Sequence, residues 1–423
     1  MVLGRKRAAA LFAAFAAAAL IAPASASAIN PVSFSEVGNL GTPRDAPGAA
    51  RLPDGRVLVA GGEDKSSNDL DSTEFFNPST NSFTPGPTML HTHGYSPVMA
   101  SLPDGRVLLA GGYDGSEDTP TAEVFNPANG TFSPVGNMLQ GRENAPAATL
   151  PDGRVFVVGG YANGSTLNST EFFDPHTNSF SSGPTLPDFN YSPGVAAVAG
   201  GRILIAGGYN GNSGTTLDKT FLFDPSTNAF NPISNLPFPI YYPAGASLPQ
   251  GRALLAGGAN DAGDELDTAL IFDPTTNSFT TNGIGTLIHK RQEAAAAELA
   301  DGRVLVVGGY VSGPRAQDTA EVLSVPSNSF KAKLKGRKII FTVSNEGVAS
   351  AADSSAKFVT TAKKKKPKLV KTTSKHGGPG KIKVKVKLTK AGSAKLAEKG
   401  KLTIKAVYTP DGGLAAVKKL KLR

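Results

Sequence analysis

An eleven-residue phrase recurs along this chain and limits what it can fold into. It reads LPDGRVLVAGG at 52–62, LPDGRVLLAGG at 102–112 and LPDGRVFVVGG at 150–160, and its ending returns at Gly208, Gly258 and Gly309. The second glycines stand at 62, 112, 160, 208, 258 and 309, a period of 48 to 51 residues. A repeated unit of that length buries its apolar faces against neighbouring copies rather than around a core of its own.

Each unit parses into four short strands. An apolar stretch leads to a Pro-Asp-Gly turn, then a Val/Leu/Ile run ending in Gly-Gly, then a segment such as TEFF, an Asn-Pro or Asp-Pro turn, and a last strand around NSF. Pro presets φ, Asp or Asn bonds its own backbone and Gly accepts positive φ, so LPDGRV and FNPSTNSF (76–83) both read as hairpins. The double glycine is expected where a side chain would collide with the next unit. Phe recurs before the second turn (76, 125, 173, 223, 272) and after it (83, 132, 180, 230, 279, 330). One aromatic pair per unit reads as filling between adjacent sheets, not as a ligand stack.

The Gly-Gly endings, the Tyr that follows four of them (Tyr113, Tyr161, Tyr209, Tyr310) and the paired aromatics together resemble the kelch repeat. That resemblance implies an all-β fold, a six-bladed β-propeller over residues 29–330. Kelch repeats commonly carry a Trp in the last strand, whereas this chain has Phe there and no Trp at all. SFSEVGNLGTPR (33–44) repeats the pattern of TFSPVGNMLQGR (131–142), so the chain begins with an unpaired last strand that is expected to complete the sixth blade. Ser329-Phe330-Lys331 competes for the same place. Closure by either removes the open sheet edges.

The ends differ from the middle. Residues 1–28 have a basic start (Arg5, Lys6, Arg7), an Ala-rich apolar run and the ending Ala26-Ser27-Ala28, the pattern of a signal peptide, so export to a secreted or cell-surface location is expected, with no transmembrane segment in the mature chain. With no Cys, thiol chemistry, disulfides and Cys-ligated metals are excluded. Residues 331–423 hold 26 Lys and Arg against 4 Asp and Glu, whereas residues 1–330 hold 17 against 30. Alternation in KIIFTV (338–343), KIKVKVKL (381–388) and KLTIKAVY (401–408) predicts a small antiparallel β-sandwich over 331–423, similar to immunoglobulin-like modules, with a short helix near 390–399. The Lys-rich run 362–381 reads as a basic loop, either a solvated arm or an adhesive for anionic cell-wall polymer. Nucleic acid is disfavoured, since aromatics for base stacking do not interleave with the lysines.

In such a ring, the loops that enter each blade and those after Gly-Gly gather at one mouth of the channel. Ten positions before each turn residue stand Arg44, Gly94, Arg142, Asn190, Ile240 and Arg291; the next positions are Asp45, Tyr95, Glu143, Tyr191, Tyr241 and Gln292. Variation at equivalent positions is where specificity can be written, so Arg44, Asp45, Tyr95, Arg142, Glu143, Tyr191, Tyr241, Arg291 and Gln292 are the candidate ligand residues. Arginine suits a carboxylate and tyrosine a sugar face, unless these arginines simply pair with Asp45, Glu143 and Glu293. No metal is expected. The Asp-rich loops 63–71 and 260–267 lack the spacing of a calcium loop, and His91 and His93, on one face of an extended segment, read as rim residues. The recurring Glu74, Glu123, Glu171 and Glu321 read as structural hydrogen bonders.

Kelch propellers occur in copper radical oxidases of the galactose oxidase type and in sialic acid mutarotases. The oxidase cofactor requires a Cys crosslinked to Tyr, which this chain cannot supply, and no cofactor is expected. The reading is an exported, non-enzymatic recognition or scaffold protein that binds a glycan or protein ligand at the mouth. A carbohydrate-modifying propeller such as a mutarotase-like protein is the alternative.

Overall fold

The computed structural model describes residues 32–281, 284–313 and 315–324, then the strand segments 330–335, 338–343, 347–353, 370–371, 373–377, 380–385, 387–388, 402–410 and 416–422. The expected signal peptide (1–28) and helix (390–399) lie outside the described residues.

Alternating apolar runs and tight turns fold into six four-stranded antiparallel sheets. Blade 1 comprises Gly48–Arg51, Val57–Ala60, Thr73–Asn77 and Ser82–Pro85. Blade 2 runs from Val98–Ser101 to Thr131–Pro134, blade 3 from Ala147–Thr149 to Ser179–Ser182, blade 4 from Gly194–Val198 to Ala229–Pro232 and blade 5 from Ala244–Leu248 to Ser278–Thr280. Blade 6 contains Ala295–Glu298, Val304–Val307 and Ala320–Ser324, and its outer strand is the N-terminal Ser33–Glu36, with Phe34 opposite Leu323. The N-terminal strand therefore wins the closing position. Phe330 instead opens the strand Phe330–Lys335, which pairs with Lys338–Val343, so it is not a blade aromatic as its place in the Phe series implied.

Burial follows from the radial arrangement. The second strand of each blade is covered on both faces, and Val57–Ala60, Val107–Ala110, Val155–Val158 and Val304–Val307 are buried throughout. The outer strands reach solvent and are accordingly polar. Six hydrophobic clusters result, one in each seam between neighbouring blades. The aromatic pairs sit in these seams: Phe76 with Phe83 (5.0 Å between ring centres), Phe125 with Phe132 (5.1 Å) and Phe173 with Phe180 (5.0 Å). Full burial of such a side chain is worth about 1.5–3 kcal/mol, so the repeated pair is a principal source of cohesion.

The double glycine stitches one blade to the next. Gly61 and Gly62 have φ of +66° and +81°, and a Cβ on Gly61 would strike the carbonyl oxygen of His93 in the entry loop of blade 2. The amide of Gly62 donates to that same carbonyl at 3.1 Å. The bond recurs around the ring, from Gly112 to Arg142, Gly160 to Asn190, Gly208 to Ile240, Gly258 to Arg291 and Gly309 to Arg44.

In the basic segment, Phe330–Lys335, Lys338–Val343 and Gly380–Lys385 form one sheet; Thr373–Gly377, Gly347–Asp353, Leu402–Pro410 and Ala416–Leu422 form another. Two strand assignments differ from expectation. The run read as the loop 362–381 contains Val370–Lys371, Thr373–Gly377 and the start of Gly380–Lys385, because its Val, Thr and Ser residues find partners despite the lysines. The run 381–388 is divided, since Lys387–Leu388 pairs with Val370–Lys371 rather than continuing beside Lys338–Val343. No helix among the described residues is long and apolar enough to cross a membrane.

Candidate functional site

Three consecutive positions in each entry loop point in different directions, and this decides which residues can meet a ligand. The first position turns into its own blade. Arg44 is fully buried, with one guanidinium nitrogen donating to the carbonyls of Gly61 and Ser72, both at 3.0 Å, and the other 3.4 Å from Glu74. Arg142 repeats this with Gly159, Ser169 and Glu171 (2.7 Å), and Arg291 with Gly308, Thr319 and Glu321 (2.8 Å). These three arginines are thus removed from the mouth, and their partners are the third-strand glutamates rather than Asp45, Glu143 and Glu293. Burial lowers the pKa of each guanidinium, and the adjacent glutamate opposes that shift.

The glutamates also receive two loop amides each: Glu74 from Gly41 and Thr42, Glu123 from Leu90 and His91, Glu171 from Leu139 and Gln140, Glu321 from Ile288 and His289. In blade 2 His93 stands in the arginine's place, its Nε2 3.2 Å from Glu123 while Nδ1 contacts the Gly111 carbonyl. Burial alone would raise the Glu123 pKa, but hydrogen bonds from His93 and the two amides hold it below its ordinary value. His93 is therefore a buried clamp rather than a rim residue, and His91 alone is exposed. Blade 2 carries one extra loop residue: Gly94, not Tyr95, makes the antiparallel bridge that Asp45 makes in blade 1. Blades 4 and 5 lack the glutamate, having Phe221 and Leu270 there, and lack the cation, having Asn190 and Ile240. This paired loss within one sequence is a signal that the count of arginines missed.

The second position faces the mouth. Asp45 bridges to Glu63, Glu143 to Tyr161, Tyr191 to Tyr209, Tyr241 to Ala259 and Gln292 to Tyr310. The third position forms the neck of the channel: Ala46, Ser96, Asn144, Ser192, Tyr242 and Glu293, one per blade, all with φ between 48° and 58°. Their backbones link around the axis, Ser96 donating to Ala46, Ser192 to Asn144, Tyr242 to Ser192 and Glu293 to Tyr242. A left-handed φ in six non-glycine residues is sterically costly and is held by the surrounding ring. Counting one residue further along the repeat would have found this neck.

Beneath the neck, a cavity of about 130 Å³ is lined by prolines (Pro47, Pro97, Pro193, Pro243), by Met99 and by small residues of the innermost strands. At the far end of the channel stand Arg51, Ser101, Thr149, Ser247 and Glu298. There Ser101 donates to the Arg51 carbonyl, Thr149 to that of Ser101 and Ser247 to that of Ala197.

The mouth is divided chemically. Over blades 3 to 5 five tyrosines touch in sequence, Tyr161 to Tyr191 (5.7 Å), Tyr191 to Tyr209 (5.4 Å), Tyr209 to Tyr241 (5.6 Å) and Tyr241 to Tyr242 (5.0 Å). The remaining arc carries Glu293, Asp45, Glu63 and Asp69, and Glu143 stands at its border beside Tyr161. Burial pushes Asp45 up to about 6 and Glu63 and Glu143 each to about 7, with neighbouring carboxylates adding to the rise at Glu63 and Glu143. Glu293 is raised well above its ordinary value, by burial first and then by the charge of Asp45. Several oxygens here have no partner: Asp45 Oδ1, Asp69 Oδ1, Asn144 Oδ1, Ser192 Oγ and Gln292 Oε1. Among the described residues, no group of three or more His, Asp or Glu is placed to hold a metal ion.

The kelch motif matches residues 48–90, 100–139, 145–187 and 191–237, which fall on blades 1 to 4. A comparison with curated proteins gives no match. Among solved structures, the chain is similar to a novel fungal alcohol oxidase of the AA5 family in complex with copper (TM-score 0.53, 14% identity, 93% of this chain and 100% of that one). It is also similar to the structure of YjhT (TM-score 0.55, 13% identity, 72% of this chain and 99% of that one). At such identities the likeness shows the fold alone: a six-bladed β-propeller carrying kelch motifs.

Proposed function

We propose that this is an exported, non-enzymatic recognition protein that takes a glycan or protein ligand at the tyrosine- and carboxylate-lined mouth. In this reading the basic segment 331–423 is a β-sandwich that adheres to anionic cell-surface polymer. The carrying observation is the contrast between two sets of polar groups. In the arginine–glutamate clamps both terminal guanidinium nitrogens are paired and buried, whereas the mouth holds tyrosines in edge and tilted contact, carboxylates at unfavourable pKa and buried oxygens without partners. Polar groups left unsatisfied in a rigid frame are a cost that a ligand can remove. Kelch motifs on a propeller support a binding scaffold, since shape recognition needs only variable loops on a fixed ring.

The test is a glycan and peptide array probed with the full chain and its Tyr191→Ala and Tyr241→Ala variants. Loss of the bound ligand in the variants, with an unchanged thermal midpoint, is the expected result; retention of every ligand would reject the mouth as the site.

A further inference from the structure

We infer that the neck of this mouth accepts a primary ammonium group, the head of a lysine side chain presented by a partner polypeptide. This rests on the mouth being the ligand site and names the chemistry of its ligand. The buried groups without a partner at the mouth and neck are all oxygens; the two buried nitrogens in that state, Arg44 Nε and Arg142 Nε, lie inside the blades. Asn144 and Ser192, only 3% and 7% exposed, line the cavity with Oδ1 and Oγ unpartnered, and Asp45, 5% exposed, has Oδ1 unpartnered. These acceptors come from three different blades, so no protein donor answers them. What they lack is a donor that projects in several directions.

Charge narrows the choice. Asp45 and Glu143 both act on Glu293 across the neck, and the arginines of the entry loops, Arg44, Arg142 and Arg291, are turned into the blades. A metal ion is disfavoured, because no set of three acidic or histidine ligands converges among the described residues. A neutral sugar would donate hydrogen bonds but bring no charge to these buried carboxylates, which Arg315 offsets only in part, at Asp45 and Glu63. An ammonium supplies three donors on a compact head, whereas a guanidinium fork matches one carboxylate in a plane. The lysine stem suits the tyrosine arc, whose faces cover methylenes and attract a cation.

The probe is a synthetic peptide of residues 362–369 (AKKKKPKL), titrated calorimetrically into the full chain beside the same peptide with every lysine acetylated. Acetylation and Glu293→Gln are each expected to weaken binding about tenfold or more, while Asp54→Asn, which removes an exposed charge at a hairpin turn, changes it less than about twofold. Equal binding of the acetylated peptide, or equal losses in Glu293→Gln and Asp54→Asn, would overturn the inference. If neutral glycans bind and Tyr191→Ala abolishes them, the ammonium falls while the mouth stands as the ligand site. If Tyr191→Ala spares every ligand, both readings fall.

Discussion

Arg142 and Glu293 are both charged residues of entry loops, and the fold uses them in opposite ways. Arg142 engages two carbonyls, a hydroxyl and Glu171 through its two terminal nitrogens, and its Nε alone is left without a partner. Removing one partner of a buried pair leaves the other charge uncompensated, so Arg142→Ala should destabilise the protein by about 3–5 kcal/mol, read by denaturant unfolding. The double change Arg142→Ile with Glu171→Leu copies the Ile240 and Leu270 pair of blade 5, and should recover most of that loss. A ligand role for Arg142 predicts the reverse pattern: stability kept and binding lost. The sequence could not separate the two roles from residue type alone. The left-handed turn at the neck rotates consecutive side chains into the blade, onto the mouth and into the channel, and that rotation is set by tertiary hydrogen bonds rather than by local propensity.

At the scale of the elements, the N-terminal strand Ser33–Glu36 carries the closure of the ring. Phe34 sits in the seam between blades 5 and 6, facing Leu323. Phe34→Ala should cost about 3–5 kcal/mol, checked by chemical unfolding, because the cavity opens where the first and last strands of the ring meet. A loss below about 0.5 kcal/mol, the size of an ordinary surface change, would mean the ring does not depend on that strand. Blade number, strand count and the aromatic pairs were legible in the sequence, since each is tied to a repeat of fixed period, whereas the closing strand was narrowed to two candidates that only pairing could separate. Less was legible where a repeat departs from its neighbours. The extra residue in blade 2 moves the clamp to His93 and leaves Tyr95 and Ser96 both at positive φ, which an ungapped count of positions cannot register. The Lys-rich strands 370–371 and 373–377 were read as loop because charge repulsion outweighed β-propensity in a reading without pairing partners.

For the whole molecule, charge is partitioned: 17 Lys and Arg against 30 Asp and Glu up to residue 330, and 26 against 4 beyond it. If the basic segment adheres electrostatically, the full chain should bind purified cell-wall polymer at low salt and release it as ionic strength passes about 0.15 M, where the Debye length falls to about 8 Å. Salt-insensitive retention would contradict that. The mouth gives a second, pH-dependent property. Asp45 is raised from 3.8 to about 6 and Glu63 and Glu143 from 4.5 to about 7. Between those limits the folded state binds more protons than the unfolded chain, so stability is fullest below about pH 4 for these groups and is lost as pH rises toward 7. Glu123 and the turn carboxylates Asp64 and Asp152 are lowered by their hydrogen bonds and favour the fold above their unfolded values. Stability should therefore peak between these two trends, on the acid side of neutrality.

In the proposed function the clamps maintain the frame while the mouth strains it for the sake of a ligand. The most direct measurement is the thermal midpoint at pH 7.5 and pH 5 of the native chain beside Glu293→Gln and Glu321→Gln. The clamp variant should melt lower at both values, having lost the partner of Arg291. The neck variant should melt higher than the native chain at pH 7.5, with the advantage shrinking at pH 5, where the native carboxyl is more readily protonated in both states. A lower midpoint for Glu293→Gln at pH 7.5 would make Glu293 one more structural carboxylate and contradict the mouth as the site.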